Sequence, residues 1–207
     1  ALDMALASQS DVSVWIGQAR FIRQTLTDSI IDEAFSRLPK GIEDKEIKRI
    51  TRIIKERREK LEVIAKNYFA SLQQTPVLTG TNRSDRFVID RHNPDSLFIQ
   101  MYDQQTGQRV FDRKYSRKKT KEIWLYGLEG DDRFEVSGRA NKEVPVFLIA
   151  GKGKNIYRME PGHHIRVYEY ESGKAALDTV PHVKKVFSDI PEIHQYDYNK
   201  IKHHKMS

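Results

Sequence analysis

The chain has 207 residues, of which 38% are hydrophobic and 31% charged, enough for one or two compact units with a heavily solvated surface. Its longest apolar runs, such as Val146–Ala150, are strand-length, far below the roughly 20 residues a spanning helix requires, and the lack of cysteine excludes disulfides, thiolate catalysis and cysteine-based zinc sites. The net charge of +7 gathers in two stretches: Lys40–Lys66 holds ten Lys or Arg against six acids, and Arg109–Lys121 holds seven against Asp112 alone.

Residues 1–72 read as a helical segment, opening at Ala1 without an initiator Met or the basic and apolar regions of a signal peptide. Asp11 caps a helix that carries Val12, Trp15, Ile16, Ala19 and Ile22 on one face, at the threes and fours of the 3.6 period. Thr27 caps a second helix, Asp28–Leu38, which Pro39 and Gly41 end. A third runs from about Glu43 to Leu72, with an apolar stripe from Ile47 to Phe69. Arg57 falls where an apolar residue is due, so the KERREK stretch reads as a solvated waist whose two flanks pack on different neighbours. No DNA- or RNA-binding fingerprint accompanies this basic helix, and nucleic acid is not an expected partner.

From Pro76 the period changes to two. Strands are expected around 85–90, 97–103, 108–115, 121–128, 132–137, 144–150, 155–159 and 164–171, punctuated by Gly, Pro and Asn, which makes 76–171 a β-rich domain. Within it, SLFIQMYD, the turn Gln104–Gly107 and QRVFDRKY read as a hairpin. Residues 172–207, with Pro181, Pro191 and a Lys/His-rich end, read as an extended arm or linker.

Two segments of the β-rich domain match. Glu122–Val136 and Pro145–Met159 align at a shift of 23, placing Ile123 on Val146, Trp124 on Phe147, Gly130 on Gly153, Asp132 on Asn155 and Phe134 on Tyr157. Weaker copies extend upstream: Gly80–Phe87 matches Gly127–Phe134 at a shift of 47, and Phe111 sits 23 before Phe134. The resulting aromatic column of Phe87, Phe111, Phe134 and Tyr157 predicts an internal ladder in a short β-solenoid or β-roll of about 23-residue coils. The alternative is an antiparallel sandwich whose strands resemble one another by composition. Either way the fold class is α+β, helices first.

The turn Gly127–Phe134 approximates the calcium-binding nonapeptide of parallel β-rolls, which makes Asp131, Asp132 and Asn155 the candidate metal ligands. Lys152 and Lys154 beside Asn155 raise the cost of a cation, which favours a structural turn in which the aspartates accept backbone N–H groups. Asp131 and Asp132 are consecutive and point apart, so they share no proton, and His92, His163, His164, His203 and His204 lack metal spacing. No P-loop, nucleophile elbow, zinc-helix motif or Rossmann glycine set occurs, and no catalytic residue is expected. The basic stretch offers Arg113, Lys114, Arg117, Lys118, Lys119 and Lys121 to phosphates, anionic headgroups or an acidic partner, or else protects a strand edge with lysines.

Several phrases together resemble one region of bacterial envelope proteins that join a calcineurin-like metallophosphoesterase to a C-terminal outer-membrane β-barrel of the BamA/TamA surface-antigen type. They are Leu26-Thr-Asp28, Leu38-Pro39, Glu56-Arg-Arg58, Gly80-Thr81 and, most specifically, Thr120–Phe134; Gly151–Tyr157 resembles that family's second turn. The resemblance covers most of the chain and implies the segment just ahead of the barrel, with His194–Ser207 approaching the first barrel strand. It also implies a periplasmic place at the outer membrane with indirect membrane contact, and partners in the barrel and phosphoesterase modules of the same polypeptide and other envelope proteins. The phosphoesterase metal motifs do not occur here, so no phosphatase residue carries over. Ala150 and Asn155 depart from the Gly and Asp of the family pattern, which weakens a metal role.

Overall fold

The computed structural model of the chain describes residues 11–39, 43–139, 143–160 and 164–197. They fall into two compact units, one helical and ending at Ser71, the other starting at Leu72. Gly41, His163 and the tail from Tyr198 lie outside the described residues.

The helical unit contains α1 (Val12–Thr25), α2 (Asp28–Ser36), α3 (Asp44–Glu59) and α4, which runs from Leu61 to Leu72. Asp11 accepts the Ser13 N–H at 2.8 Å and Thr27 accepts that of Ile30 at 3.3 Å, each meeting one of the donors a helix start leaves unpaired. Trp15 packs on Tyr68 and Phe69, with ring centroids 5.5 and 6.3 Å apart. The expected third helix is interrupted at Lys60, whose N–H turns back to Arg57 O. The waist is not uniformly solvated either. Arg57 is exposed, but the Arg58 side chain is only 12% exposed: its Nη1 donates to Leu26 O at 2.8 Å and pairs with Asp28 at 2.7 Å. One guanidinium thus holds the end of α1 and the first turn of α2, a position where the helix dipoles place a carbonyl and an acid.

The second unit holds ten strands: β1 (Val77–Thr79), β2 (Asp85–Asp90), β3 (Ser96–Asp103), β4 (Arg109–Ser116), β5 (Ile123–Tyr126), β6 (Arg133–Ser137), β7 (Val146–Ile149), β8 (Ile156–Met159), β9 (Ile165–Glu169) and β10 (Lys184–Phe187). They form two five-stranded sheets, ordered β1-β5-β7-β9-β10 and β4-β3-β2-β6-β8. The chain is thus mixed α/β, helices followed by two sheets, with no closed barrel among the described residues. Every pairing in the first sheet is parallel; antiparallel pairing is confined to β2–β3–β4, where the expected hairpin forms. Asp103 Oδ1 secures its turn by accepting the Gln105 and Thr106 N–H groups at 2.9 Å.

The chain passes from one sheet to the other between β1 and β2, β5 and β6, and β7 and β8. In consequence β5 lies on β7 and β6 on β8 at the shift of 23, Ile123 against Val146 and Phe134 against Tyr157. Between the sheets lies a core of Leu78, Phe87, Ile89, Leu125, Phe134, Leu148 and Val167, among others. All four residues of β5 and of β7 are buried, as strands covered on both faces require; on the outer face Trp124 stacks on Phe147 at 4.4 Å.

The aromatic column contains three of its four expected members. Phe87 stacks on Phe134 at 5.1 Å and Phe134 on Tyr157 at 5.5 Å. Phe111 is not in it, because it sits on hairpin strand β4 opposite Met101, two strands away from β2 in the sheet order. Nor are residues 172–197 an extended arm. After β9 come a 3-10 turn (Glu171–Gly173), α5 (Lys174–Asp178), β10, and α6 (Pro191–His194), and β10 pairs in parallel with β9. Leu177 of α5 is fully buried, an apolar anchor that draws this segment onto the sheets.

Candidate functional site

The bends after β1, β5 and β7 begin with Gly80, Gly127 and Ala150. The backbone ladder continues through them: Gly80 N–H donates to Tyr126 O at 2.7 Å, Gly127 N–H to Ile149 O at 2.8 Å, and Ala150 N–H to Tyr168 O at 3.1 Å. A Cβ on Gly127 would lie 2.2 Å from Ala150 O and 2.5 Å from Asp132 Oδ2, so no side chain fits there. Gly153 adopts φ +133° and passes so near Gly130 that a Cβ would fall 1.9 Å from the Gly130 carbonyl oxygen.

Stacked bends bring polar side chains into a column. Asp85 N–H donates to Asp132 Oδ1 at 2.8 Å, Asp132 N–H to Asn155 Oδ1 at 3.1 Å, and Asn155 Nδ2 to Glu169 Oε2 at 3.2 Å. Glu169 Oε2 also accepts the Tyr157 hydroxyl, and its Oε1 accepts the Tyr170 N–H at 2.8 Å. Asp85, Asp132, Asn155 and Glu169 are all buried. Leaving a bend, each strand has a backbone donor that the sheet does not yet pair, and the short side chain of the neighbouring bend supplies the acceptor.

Of the three metal candidates, Asp132 and Asn155 meet in this column, while Asp131 is exposed and accepts the Lys154 N–H at 2.7 Å. Each therefore commits one side-chain oxygen to a backbone donor. Among the described residues no group of three or more His, Asp or Glu is placed to hold a metal ion.

Asp132 Oδ2 is buried with no hydrogen-bond partner. The corresponding Asp85 Oδ2 accepts the Thr81 N–H at 2.6 Å and the Thr81 hydroxyl at 2.9 Å. At the shift of 47 Leu128 replaces Thr81, and it has no hydroxyl and a backbone at φ +78°. Burial pushes the Asp132 carboxyl up to about 8, with the negative charges of Asp85, Asp131 and Glu169 acting in the same direction. It is therefore predominantly neutral at pH 7. Asp85 was foreshadowed by the shift of 47, whereas nothing in the sequence pointed to Glu169, which enters from β9 at a different spacing.

The six basic candidates separate into two kinds. Arg113 is half-buried in register with Ile99, and its Nη1 donates to Asp112 O at 2.7 Å. Arg117 is half-buried too and donates to the Asn93 and Arg91 carbonyls, both at 3.0 Å. Both arginines are committed to the fold, whereas Lys114 on edge strand β4 and Lys118, Lys119 and Lys121 in the segment that follows it are exposed.

No protein-family model, curated protein or solved structure matches the chain. No helix among the described residues is long and apolar enough to cross a membrane.

Proposed function

We propose that the chain is a noncatalytic scaffold or interaction domain of a bacterial envelope protein, a short β-solenoid of about 23-residue coils that links a soluble module to an outer-membrane β-barrel on its periplasmic side. The observation that carries the solenoid is the register of Ile123 with Val146 and Phe134 with Tyr157, in which the chain regains the same strand position 23 residues later. Such coils make a stiff spacer, because each buries its apolar face only against its neighbours. A noncatalytic role draws support from the polar column: Asp85, Asp132, Asn155 and Glu169 direct their side chains at backbone and at one another. The envelope placement rests on the resemblance of Thr120–Phe134, which forms β5 and its bend.

Two experiments test this reading. Reading the gene through both ends should reveal a metal-binding phosphoesterase ahead of Ala1 and amphipathic strands beyond Ser207, and other neighbours would overturn the linker role. Fractionation of cells carrying the tagged native protein should place it with the outer membrane; recovery from the cytosol would end the envelope assignment.

The four exposed lysines favour a second reading, a surface for anionic polymers or lipid headgroups, since none has a carboxylate partner among the described residues. A calcium-dependent roll is the weaker reading, because its expected ligands already serve backbone donors.

A further inference from the structure

Glu129 and Lys152 are paired across neighbouring bends, and with the segment that follows β10 they border a cavity of about 370 Å³. This lies toward the small end of the range for sites that enclose small molecules. Tyr170 and Tyr196 contribute aromatic walls, and Asn82 and His194 add polar ones.

His194 is 4% exposed and its ring stacks on Tyr170 with centroids 3.8 Å apart. Its Nε2 lies 2.6 Å from the Ser188 carbonyl oxygen, an acceptor only, so Nε2 carries the proton. Burial holds the imidazole below its ordinary basicity. Nδ1 is buried without a hydrogen-bond partner, so His194 joins the wall as a ring packed on Tyr170 and not as an acceptor for a ligand.

We propose that this cavity binds a neutral mono- or disaccharide. A sugar presents an apolar C–H face to a tyrosine ring and hydroxyls that both donate and accept. The wall offers the matching mixture: the Glu129 and Asp197 carboxylates accept, the Lys152 ammonium donates, and the Asn82 amide does both. A free anion would meet Glu129 and Asp197, a cation would meet Lys152, and a purely apolar ligand would strand these polar groups without partners.

The test uses the full chain, with glucose, N-acetylglucosamine and their β-1,4-linked disaccharides as probes and adenosine as a flat aromatic comparison, read by saturation-transfer and amide-shift NMR. The expected result is saturation transfer to at least one saccharide, with a Kd of about 1 mM and shifts centred on Lys152, Tyr170 and His194. Glu129→Ala and Asn82→Ala, both at exposed positions, should each weaken binding about threefold to tenfold, the worth of one hydrogen bond, while melting stays unchanged. Absence of transfer to every saccharide, shifts confined to another surface, wild-type affinity in both variants, or tighter binding of adenosine would each overturn the proposal.

Discussion

The Asp132 carboxyl group reaches across 47 residues to accept the Asp85 backbone N–H at 2.8 Å, and its other oxygen is buried with no partner. One oxygen therefore holds two bends together while the other makes the ionised form costly. The same side chain both supports the fold and opposes it, in proportions that pH sets.

Burial raises the Asp132 carboxyl from its ordinary value of 3.8 to about 8 on folding. Its contribution to stability is complete below the lower value, declines as pH rises between the two and is lost above the higher. The slope is at most about 1.4 kcal/mol per pH unit. Asp132→Asn keeps the acceptor for Asp85 and removes the charge, so the difference in stability between variant and wild type should move in the variant's favour from about pH 5 to about pH 9. Denaturant unfolding across that range measures it, and parallel curves would refute the assignment.

Gly127→Ala should destabilise the second unit by about 3 kcal/mol or more, since the new methyl meets a backbone carbonyl that the ladder holds in place. Gly17 supplies the contrast: it lies inside α1, and a Cβ there meets nothing within 4 Å. Gly17→Ala should therefore stabilise the helical unit by about 0.5–1 kcal/mol. Thermal melts of both variants decide the matter, and a harmless Gly127→Ala would refute the close approach of the bends.

Phe134 is fully buried between two stacked rings, so Phe134→Ala should cost about 3–5 kcal/mol. Phe111 is only partly buried and lies outside the column, and Phe111→Ala should cost distinctly less. Equal losses in chemical denaturation would mean that Phe111 belongs to the same stack after all.

Calcium and a chelator should leave the melting temperature unchanged, because Asp131, Asp132 and Asn155 each already commit one side-chain oxygen to a backbone donor. A melt that rises with added calcium would restore the metal reading, since a ligand that favours the folded state stabilises it.

Binding to vesicles rich in anionic lipid should weaken steeply with salt and disappear when Lys114, Lys118, Lys119 and Lys121 are changed together to Glu. Changing Arg113 or Arg117 should instead lower stability, because their guanidinium groups hold backbone carbonyls. Vesicle binding retained by the four-lysine variant would end the lysine-surface reading.

Much of this molecule is legible along the chain. The caps Asp11 and Thr27, the hairpin at Gln104–Gly107, and the strands centred on Phe87, Trp124, Phe134 and Phe147 follow from local periodicity and turn chemistry, which act over a few residues. The shift of 23 also predicted which residues lie on one another, because parallel strands one coil apart impose a constant sequence offset on their partners. Three-residue β1 and four-residue β10 carry no strand pattern of their own in the sequence, since their order comes from a neighbouring strand's unpaired edge.

Other features were decided only when the chain closed on itself. Phe111 shares the spacing of the aromatic column, yet the hairpin carries it to the sheet's far side. Asp132 and Asn155 look like metal ligands in a line of text, but stacking of the bends aims one oxygen of each at a backbone N–H. Glu169 has no repeat position and still completes their column. Local sequence determined which segments extend, coil or turn, because those preferences are short-range; burial and hydrogen-bond partners depend on atoms brought together from distant positions, and only the tertiary structure could assign them.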